Sequence, residues 1–152
     1  MRFNVLVPFM VYLSLAGDAS AEEIGDLMGY WRTVRHGALV KIADCGNGTP
    51  CGELAWVSEA ISEGNILDIH NPDPALRAQR LIGAPILWGF STDEDGWRNG
   101  RLYNPEDGKV FRSHLQLLSH SELQVSGCFG PFCRSQIWTR SVQPFSEPSS
   151  KF

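Results

Sequence analysis

Apolar and polar residues alternate along short segments of this chain, which is the pattern of β-strands with one face in a core and the other in water. In KVFRSHLQLL, Phe111, Leu115 and Leu117 share one face. Arg112 and His114 occupy the opposite face. No long helical period and no internal repeat interrupts this pattern. The sequence predicts strands at residues 30–36, 38–44, 52–58, 85–90, 99–104, 109–118, 122–128 and 134–141.

Residues typical of tight turns separate the predicted strands. In NPEDG, Pro105 has the φ angle that a turn requires and Gly108 can adopt a positive φ. We therefore expect a hairpin over residues 99–118. The row of inward side chains continues through Leu123 and Val125 after the next turn, so three consecutive strands should be antiparallel.

One short helix is predicted in the long connection between the third and fourth strands. Asp73 is a favourable N-cap residue and Pro74 suits the first helical position. The helix should therefore span residues 74–80. The last segment, residues 142–152, is rich in proline and serine and has no apolar period, so we expect a flexible tail.

Short sequential strands with one apolar face can close into a barrel, which leaves no exposed sheet edge. The predicted fold class is all-β, a single antiparallel up-and-down β-barrel of about eight strands with one short helix in a long loop. A two-sheet sandwich is the alternative. Gly29-x-Trp31 near the start and Arg140 near the end resemble lipocalin-like barrels, in which a terminal arginine packs over that tryptophan. The resemblance implies structural roles for Gly29, Trp31 and Arg140.

Five separated motifs carry a second resemblance. They are GYWRTV, CGNGTPCGELAWV, DIHNPDPALRAQRLIGAPILWGF, NGRLYNPEDGKVFRSHLQL and LQVSGCFGPFCRSQIWTR. In this order they are similar to the bacterial exported family catalogued as domain of unknown function 2147. The resemblance implies a Proteobacterial origin, export by the general secretory route and a compact β domain. It implies no activity and no catalytic residue.

The N-terminal segment has the features of a secretory signal peptide. Arg2 gives a positive start, residues 3–16 are largely apolar, and residues 19–21 form an A-x-A cleavage site. The apolar run is interrupted and is shorter than a membrane span requires. The sequence therefore predicts a signal peptide at residues 1–21, a barrel domain at residues 22–141, and a periplasmic or secreted protein with no membrane span.

The charge balance argues against two classes of partner. The chain has 13 Lys and Arg residues against 17 Asp and Glu residues, a net charge of −4. Loss of the signal peptide removes Arg2 and Asp18 together and leaves this balance unchanged. Such a charge indicates neither a nucleic-acid surface nor a patch for anionic membranes. We expect a monomer of one domain, without a cofactor.

Four cysteines lie in two close pairs, which predicts disulfides in an exported protein. Cys45 and Cys51 bound CGNGTPC, and Cys128 and Cys133 bound CFGPFC. Three connectivities are possible from the sequence. We favour the two local bridges because both segments contain turn residues. The spacing is not C-x-x-C and no histidine adjoins either pair, which argues against a metal site or a redox-active pair.

The long loop contains a polar cluster, Asp68, His70 and Asn71. One interpretation makes Asp68 and His70 metal ligands, or a base and its orienting partner. The other assigns the cluster to turn and cap chemistry, with hydrogen bonds from loop backbone to Asp68. We favour the second. Ser113 and His114 are neighbours on a strand and point to opposite faces, so they cannot form a catalytic pair. We expect a protein that is not an enzyme and has no metal.

The chain has five tryptophans, an unusually aromatic supply for a small barrel. The predicted ligand contacts are Trp31, Trp56, Trp88, Tyr103 and Phe111. The same rings could instead fill the interior, and we favour a filled interior over an open cavity.

Two functional hypotheses follow from these patterns. The first is an exported, non-enzymatic binding protein that holds a small apolar ligand in its barrel. The second is a secreted factor that binds envelope or host proteins. It depends on the absence of catalytic motifs, on export, and on the segment at residues 86–90. This segment is apolar on both faces and should be covered by the predicted helix or by a partner.

Overall fold

Antiparallel strands form one continuous nine-stranded sheet in the computed structural model, which describes residues 24–58, 67–94 and 96–142. Residues 24–27 are helical. The predicted signal peptide and all but the first residue of the predicted tail lie outside the described residues. The strands are β1 (Gly29–Arg32), β2 (Leu39–Asp44), β3 (Pro50–Trp56), β4 (Pro85–Trp88), β5 (Ser91–Asp93), β6 (Gly96–Asn104), β7 (Lys109–Ser119), β8 (Glu122–Phe129) and β9 (Phe132–Ser141).

Pairing between β4 and β6 closes the sheet into a barrel. The ring runs in chain order through every strand except β5, which pairs with β6. The first and last strands are also paired, and Trp31 lies opposite Arg140. The predicted up-and-down barrel is therefore confirmed, and the sandwich alternative is wrong.

Strands β1 and β5 differ most from the prediction. β1 ends at Arg32, because the next residues turn and His36 and Gly37 have positive φ angles of 65° and 59°. β5 was not predicted at all. Its three residues are exposed, so the apolar alternation that identifies a half-buried strand is missing there.

The predicted helix at residues 74–80 is shorter in the structure. A 3₁₀ helix covers Pro74–Leu76, and the Asp73 side chain caps it by accepting a hydrogen bond from the Ala75 backbone nitrogen. None of its residues is buried. A short helix without a packed apolar face gains little stability beyond its first turn, which explains the early end. Among the described residues, no helix has the length and apolar content that a membrane crossing needs.

Trp31 is the centre of the packed half of the barrel. Its side chain is fully buried, and the indole nitrogen donates to a carbonyl oxygen of the helical residues 24–27 at 2.8 Å. The Arg140 guanidinium lies over the indole, 4.2 Å from the ring centroid. The same guanidinium donates to the carbonyl oxygens of Asp26, Met28 and His120. One side chain thus joins the N-terminal segment, β9 and the β7–β8 turn.

Gly29 is placed directly beside this contact. Its φ angle of 129° is one that side chains rarely adopt, and a Cβ would lie 3.1 Å from Nη1 of Arg140. The structure therefore gives Gly29, Trp31 and Arg140 the structural roles that the sequence resemblance implied.

The apolar segment at residues 86–90 is covered by the barrel itself. Ile86, Leu87 and Phe90 are all buried. A register shift between Gly52 and Glu53 interrupts the regular β3–β4 pairing here. The Phe90 ring occupies the space that a side chain at residue 100, a glycine, would fill. Most of the segment therefore needs no cover from the predicted helix, and Trp88 is its half-buried member. Cover by a partner stays a prediction.

Both disulfides are local. Cys45–Cys51 closes the β2–β3 turn, and Cys128–Cys133 joins β8 to β9 beside their turn. The favoured connectivity is confirmed. Two disulfides are typical of proteins from an oxidising compartment.

Candidate functional site

A cavity of about 730 Å³ occupies the end of the barrel away from Trp31. This volume lies within the range of small-molecule binding sites. The preference for a completely filled interior was therefore wrong, because only the half around Trp31 is packed. Most of the cavity wall is aliphatic or aromatic: Val40, Leu54, Val57, Leu67, Ile69, Leu81, Ile86, Leu102, Phe111, Val125 and Trp138.

The mouth of the cavity is formed by loops and turns at one end of the barrel. The β1–β2, β6–β7 and β8–β9 turns and the long β3–β4 loop all contribute residues to it. Antiparallel connections bring alternate turns to the same end, so the up-and-down topology itself gathers these segments. The remaining turns lie at the packed end.

Polar side chains enter the cavity wall from β9. Arg134 and Gln136 alternate along the strand with outward residues and share the inward face with Trp138. No hydrogen bond or ion pair joins the Arg134 side chain to any other described residue. Its charge is therefore available to a bound molecule.

A second polar group at the mouth is already neutralised. Glu106 on the β6–β7 turn forms ion-pair contacts with Arg35, at 3.3 Å, and with His36. These contacts tie the β1–β2 turn to the β6–β7 turn. Arg35 and His36 line the mouth as part of this bridge.

Asp68 anchors the long loop to the barrel. This residue is buried, and its carboxylate accepts hydrogen bonds from the Tyr103 hydroxyl at 2.6 Å and from Nδ2 of Asn71 at 2.8 Å. Burial first, and then the hydrogen bond and the charge of Asp68, raise the pKa of Tyr103 far above its usual range. The phenol therefore stays protonated and acts as a donor. The pair is suited to holding the loop.

His70 completes the attachment at the β6–β7 turn. Its Nδ1 atom lies 3.3 Å from the carbonyl oxygen of Pro105. Its own carbonyl oxygen approaches Gly108, whose φ angle is 69°, so closely that no Cβ fits there. Within the described parts of the chain, no three His, Cys, Asp or Glu side chains are grouped as a metal site would require. The contacts of Asp68, His70 and Asn71 agree with the favoured structural interpretation, and the donors to the Asp68 carboxylate among the described residues are side chains.

The five predicted ligand contacts divide into two groups. Tyr103 and Phe111 line the cavity. Trp31, Trp56 and Trp88 do not, which corrects their predicted position: Trp31 is enclosed at the packed end, and the other two are half-buried elsewhere on the barrel. The prediction was made from aromatic character alone, whereas position along the barrel axis decides which ring reaches the cavity.

The sequence did contain a signal for the residues that were missed. Arg134, Gln136 and Trp138 follow the two-residue period of β9, and Trp138 is one of the buried core residues. Continuing that period from Trp138 toward the β8–β9 turn places Arg134 on the inward face. An arginine on the inward face near the end of a strand indicates that the barrel interior is open to solvent there.

His114 lies in a separate, smaller recess of about 140 Å³ on the β6–β8 part of the sheet. Its Nδ1 atom has no hydrogen-bond partner among the described residues. Burial, followed by the charges of Arg98 and Arg112, lowers the pKa of His114 below its usual 6.5. The recess is too small for a substrate. The lowered pKa of His114 therefore bears on the stability of the folded protein.

We expect acidification to cost stability at His114. In the unfolded chain His114 binds a proton near pH 6.5, whereas in the folded protein its pKa is lower. The free energy of unfolding should therefore fall as the pH drops from above 6.5 toward the pKa of the folded protein. Urea unfolding between pH 8 and pH 5 would measure this, and a His114→Gln variant should lose part of the dependence. Identical pH profiles for the two proteins would contradict the assignment.

The barrel, its open interior and the Trp31–Arg140 contact together define a lipocalin-like β-barrel. The family model described as "Uncharacterized protein conserved in bacteria (DUF2147)" matches residues 29–140, and the chain belongs to this family. The match covers the whole barrel from β1 to within one residue of the end of β9. The family resemblance seen in the sequence is therefore confirmed.

A solved structure supports the fold independently. The chain is similar to a protein described as "Protein HP1028 from the human pathogen Helicobacter pylori belongs to the lipocalin family", with a TM-score of 0.65 and 21% sequence identity. The alignment covers 76% of this chain and 83% of that chain. At this identity the likeness shows the fold alone. No curated protein matches this chain.

Proposed function

We propose that this protein is an exported, non-enzymatic binding protein that holds an amphipathic molecule with an acidic head group. The apolar part of the ligand would occupy the cavity, and the head group would lie beside Arg134 at the mouth. The observation that carries this proposal is the combination of a 730 Å³ apolar cavity with an arginine on its wall that has no partner among the described residues.

The apolar wall supplies the affinity in this proposal. Removing apolar surface from water contributes about 25 cal/mol per Å², so a chain of several methylene groups gains several kcal/mol inside the cavity. Leu54, Ile86 and Val125 already hold the opposing walls in place as buried parts of the core. A preformed site of this kind avoids much of the ordering cost of binding.

Arg134 supplies the selectivity. A guanidinium forms paired hydrogen bonds with carboxylate or phosphate groups, which a neutral head group cannot match. The competing carboxylate at the mouth, Glu106, is already paired with Arg35 and His36. An acidic head group would therefore meet an attractive charge.

Export and the absence of catalysis belong to the same proposal. The signal-peptide features of the first residues and the two disulfides support export. The protonated Tyr103 and the fully engaged Asp68 are unsuited to acid–base chemistry. Ser113 is buried and points away from its neighbour His114, so it has no base from that residue.

Calorimetric titration with dodecanoate, dodecanol and dodecylamine tests the proposal. We expect dodecanoate to bind more tightly than the other two. Arg134→Gln should weaken dodecanoate by roughly fivefold and leave dodecanol unchanged, because only the charged head group loses a partner. Leu54→Trp should weaken binding of all three, because the larger ring takes up part of the apolar cavity.

Two matched controls accompany these variants. Lys41→Gln removes an exposed charge from β2, and Leu118→Trp adds an indole at an exposed site on β7 at the packed end. Both should bind dodecanoate as the unchanged protein does. No binding of any probe, or equally tight binding of all three probes to Leu54→Trp and to the unchanged protein, would contradict a ligand site in this cavity.

A further inference from the structure

The tip of the β8–β9 hairpin exposes two aromatic rings. Phe129 and Phe132 lie opposite each other in the last register pair, and their exposed fractions are 77% and 79%. Gly130 and Pro131 form the connecting turn, in which Gly130 has a φ angle of 57°. Exposure of two large apolar side chains at one point is costly in water and marks a contact surface.

The tip is held in position by covalent and polar contacts. The Cys128–Cys133 disulfide joins the register pair directly below the two phenylalanines. On the β7 side, Nη2 of Arg112 donates to the carbonyl oxygen of Gly130 at 3.3 Å. The rings are therefore presented outward by a braced turn and do not fold back onto the sheet.

Basic side chains surround the tip without acidic partners. Arg112 lies opposite Cys128, and Arg101 lies opposite Arg112 in the next strand pair. Arg134 lies one position below the disulfide. None of the three forms an ion pair with a described residue. The acids of the neighbouring turn are already paired: Glu106 with Arg35 and His36, and Asp107 with Lys109.

We propose that this tip docks onto a lipid bilayer that contains anionic head groups, with Phe129 and Phe132 inserted at the interface. A convex two-residue turn offers far less area than the roughly 800 Å² that each partner buries in a specific protein interface. A bilayer accepts an apolar wedge of this shape, and basic residues beside the wedge are attracted to anionic lipids. The net charge of −4 is a sum over the whole chain and does not exclude this local arrangement.

Docking of the β8–β9 tip would place the cavity mouth next to the bilayer. Phe129 and Phe132 also line the cavity mouth. A docked protein would therefore hold its opening against the bilayer, and an amphipathic ligand could move between them with little exposure to water. This consequence rests on the proposed ligand function, whereas docking itself does not.

Flotation with vesicles tests docking. The full chain is expressed with its own N-terminal segment, so that any processing occurs, and all variants share that segment. Vesicles of phosphatidylcholine alone are compared with vesicles that also contain phosphatidylglycerol. We expect strong binding to the second kind only, weakened when salt rises from 0.1 M to 1 M and the screening length falls from about 10 Å to about 3 Å.

Substitutions at the tip identify the contact. The double variant Phe129→Ser and Phe132→Ser should bind anionic vesicles roughly 30-fold more weakly, because two apolar rings no longer insert. Arg112→Gln should bind about fivefold more weakly. The matched controls Leu118→Ser, at the packed end, and Lys41→Gln should bind normally. Thermal unfolding checks that every variant is folded.

Three outcomes overturn the proposal. The first is no binding to either vesicle, which would favour a protein partner for the tip. The second is binding that the double phenylalanine variant retains. The third is an equal loss in the Leu118→Ser control. The cavity variant Leu54→Trp separates the two proposals, since it should still float with vesicles as the unchanged protein does although it binds dodecanoate more weakly.

Discussion

Trp31→Ala should lower the free energy of unfolding by about 3–5 kcal/mol, the largest loss we expect from one substitution in this barrel. The indole is fully buried, and its removal leaves a cavity that the closed sheet cannot collapse to fill. The variant also loses the indole hydrogen bond and the ring beneath the Arg140 guanidinium. Urea unfolding followed by circular dichroism measures the change.

Two further variants locate the source of this loss. Trp56→Ala removes the same ring from a half-buried position and should cost less. Arg140→Lys keeps the charge but loses the planar set of donors that reaches three carbonyl oxygens, so it should lose part of the stability. Equal losses for Trp31→Ala and Trp56→Ala would contradict a special role for the Trp31–Arg140 contact.

Tyr103→Phe should lower the free energy of unfolding by roughly 1.5–3 kcal/mol, because the buried Asp68 carboxylate loses one of its two side-chain donors. Asp68→Asn should also be destabilising. The two losses should not add fully in the double variant, because Tyr103→Phe removes the hydrogen bond that Asp68→Asn weakens by taking away the charge of the acceptor. Unfolding of the four proteins gives the coupling energy directly.

Tyr30→Phe is the matched control for this prediction. Tyr30 is half-buried and has no hydrogen bond from its hydroxyl to a described residue. Removal of the Tyr30 hydroxyl should therefore change the free energy of unfolding very little. Alkaline titration gives a second test. One tyrosine of the unchanged protein should ionise at a higher pH than an exposed tyrosine, because the pKa of Tyr103 is raised. This step should be missing in Tyr103→Phe. Similar losses of stability in the two Phe variants would contradict the anchoring role.

Local patterns were sufficient to predict the barrel and its closure. Alternation in β7 and β8 fixed which residues face inward, and Leu115, Leu123 and Val125 are buried as that pattern requires. Turn residues such as Pro105 and Gly108 fixed the hairpins. The contact between Trp31 and Arg140, more than a hundred residues apart in the chain, was accessible through the resemblance to lipocalin-like barrels. These features depend on neighbours in sequence or on a recognisable motif.

The depth of each inward residue could not be read from the same patterns. Trp31 and Trp138 both face the interior, yet the first belongs to the packed end and the second to the cavity wall. Depth depends on strand tilt and register shifts, such as the shift between Gly52 and Glu53 in the β3–β4 pair. Alternation shows which face of the sheet a residue occupies. It does not show the position of that residue along the barrel axis.

Contacts between distant loops were also hidden from the sequence. Asp68 and Tyr103 are 35 positions apart, and nothing in the sequence joins them. The same holds for the arginines around the β8–β9 tip, because total charge reports a sum and not an arrangement. Arg101 and Arg112 become neighbours only through the β6–β7 register.

The central claim is that the open half of this barrel binds an amphipathic acid, and NMR mapping with dodecanoate tests it most directly. Titration into protein with labelled methyl groups should shift the signals of Leu54, Ile86 and Val125, which line the cavity. The signals of Leu27 and Ile42, in the packed core and outside the cavity wall, should stay in place. Shifts confined to surface methyl groups, or none at saturating dodecanoate, would contradict the account.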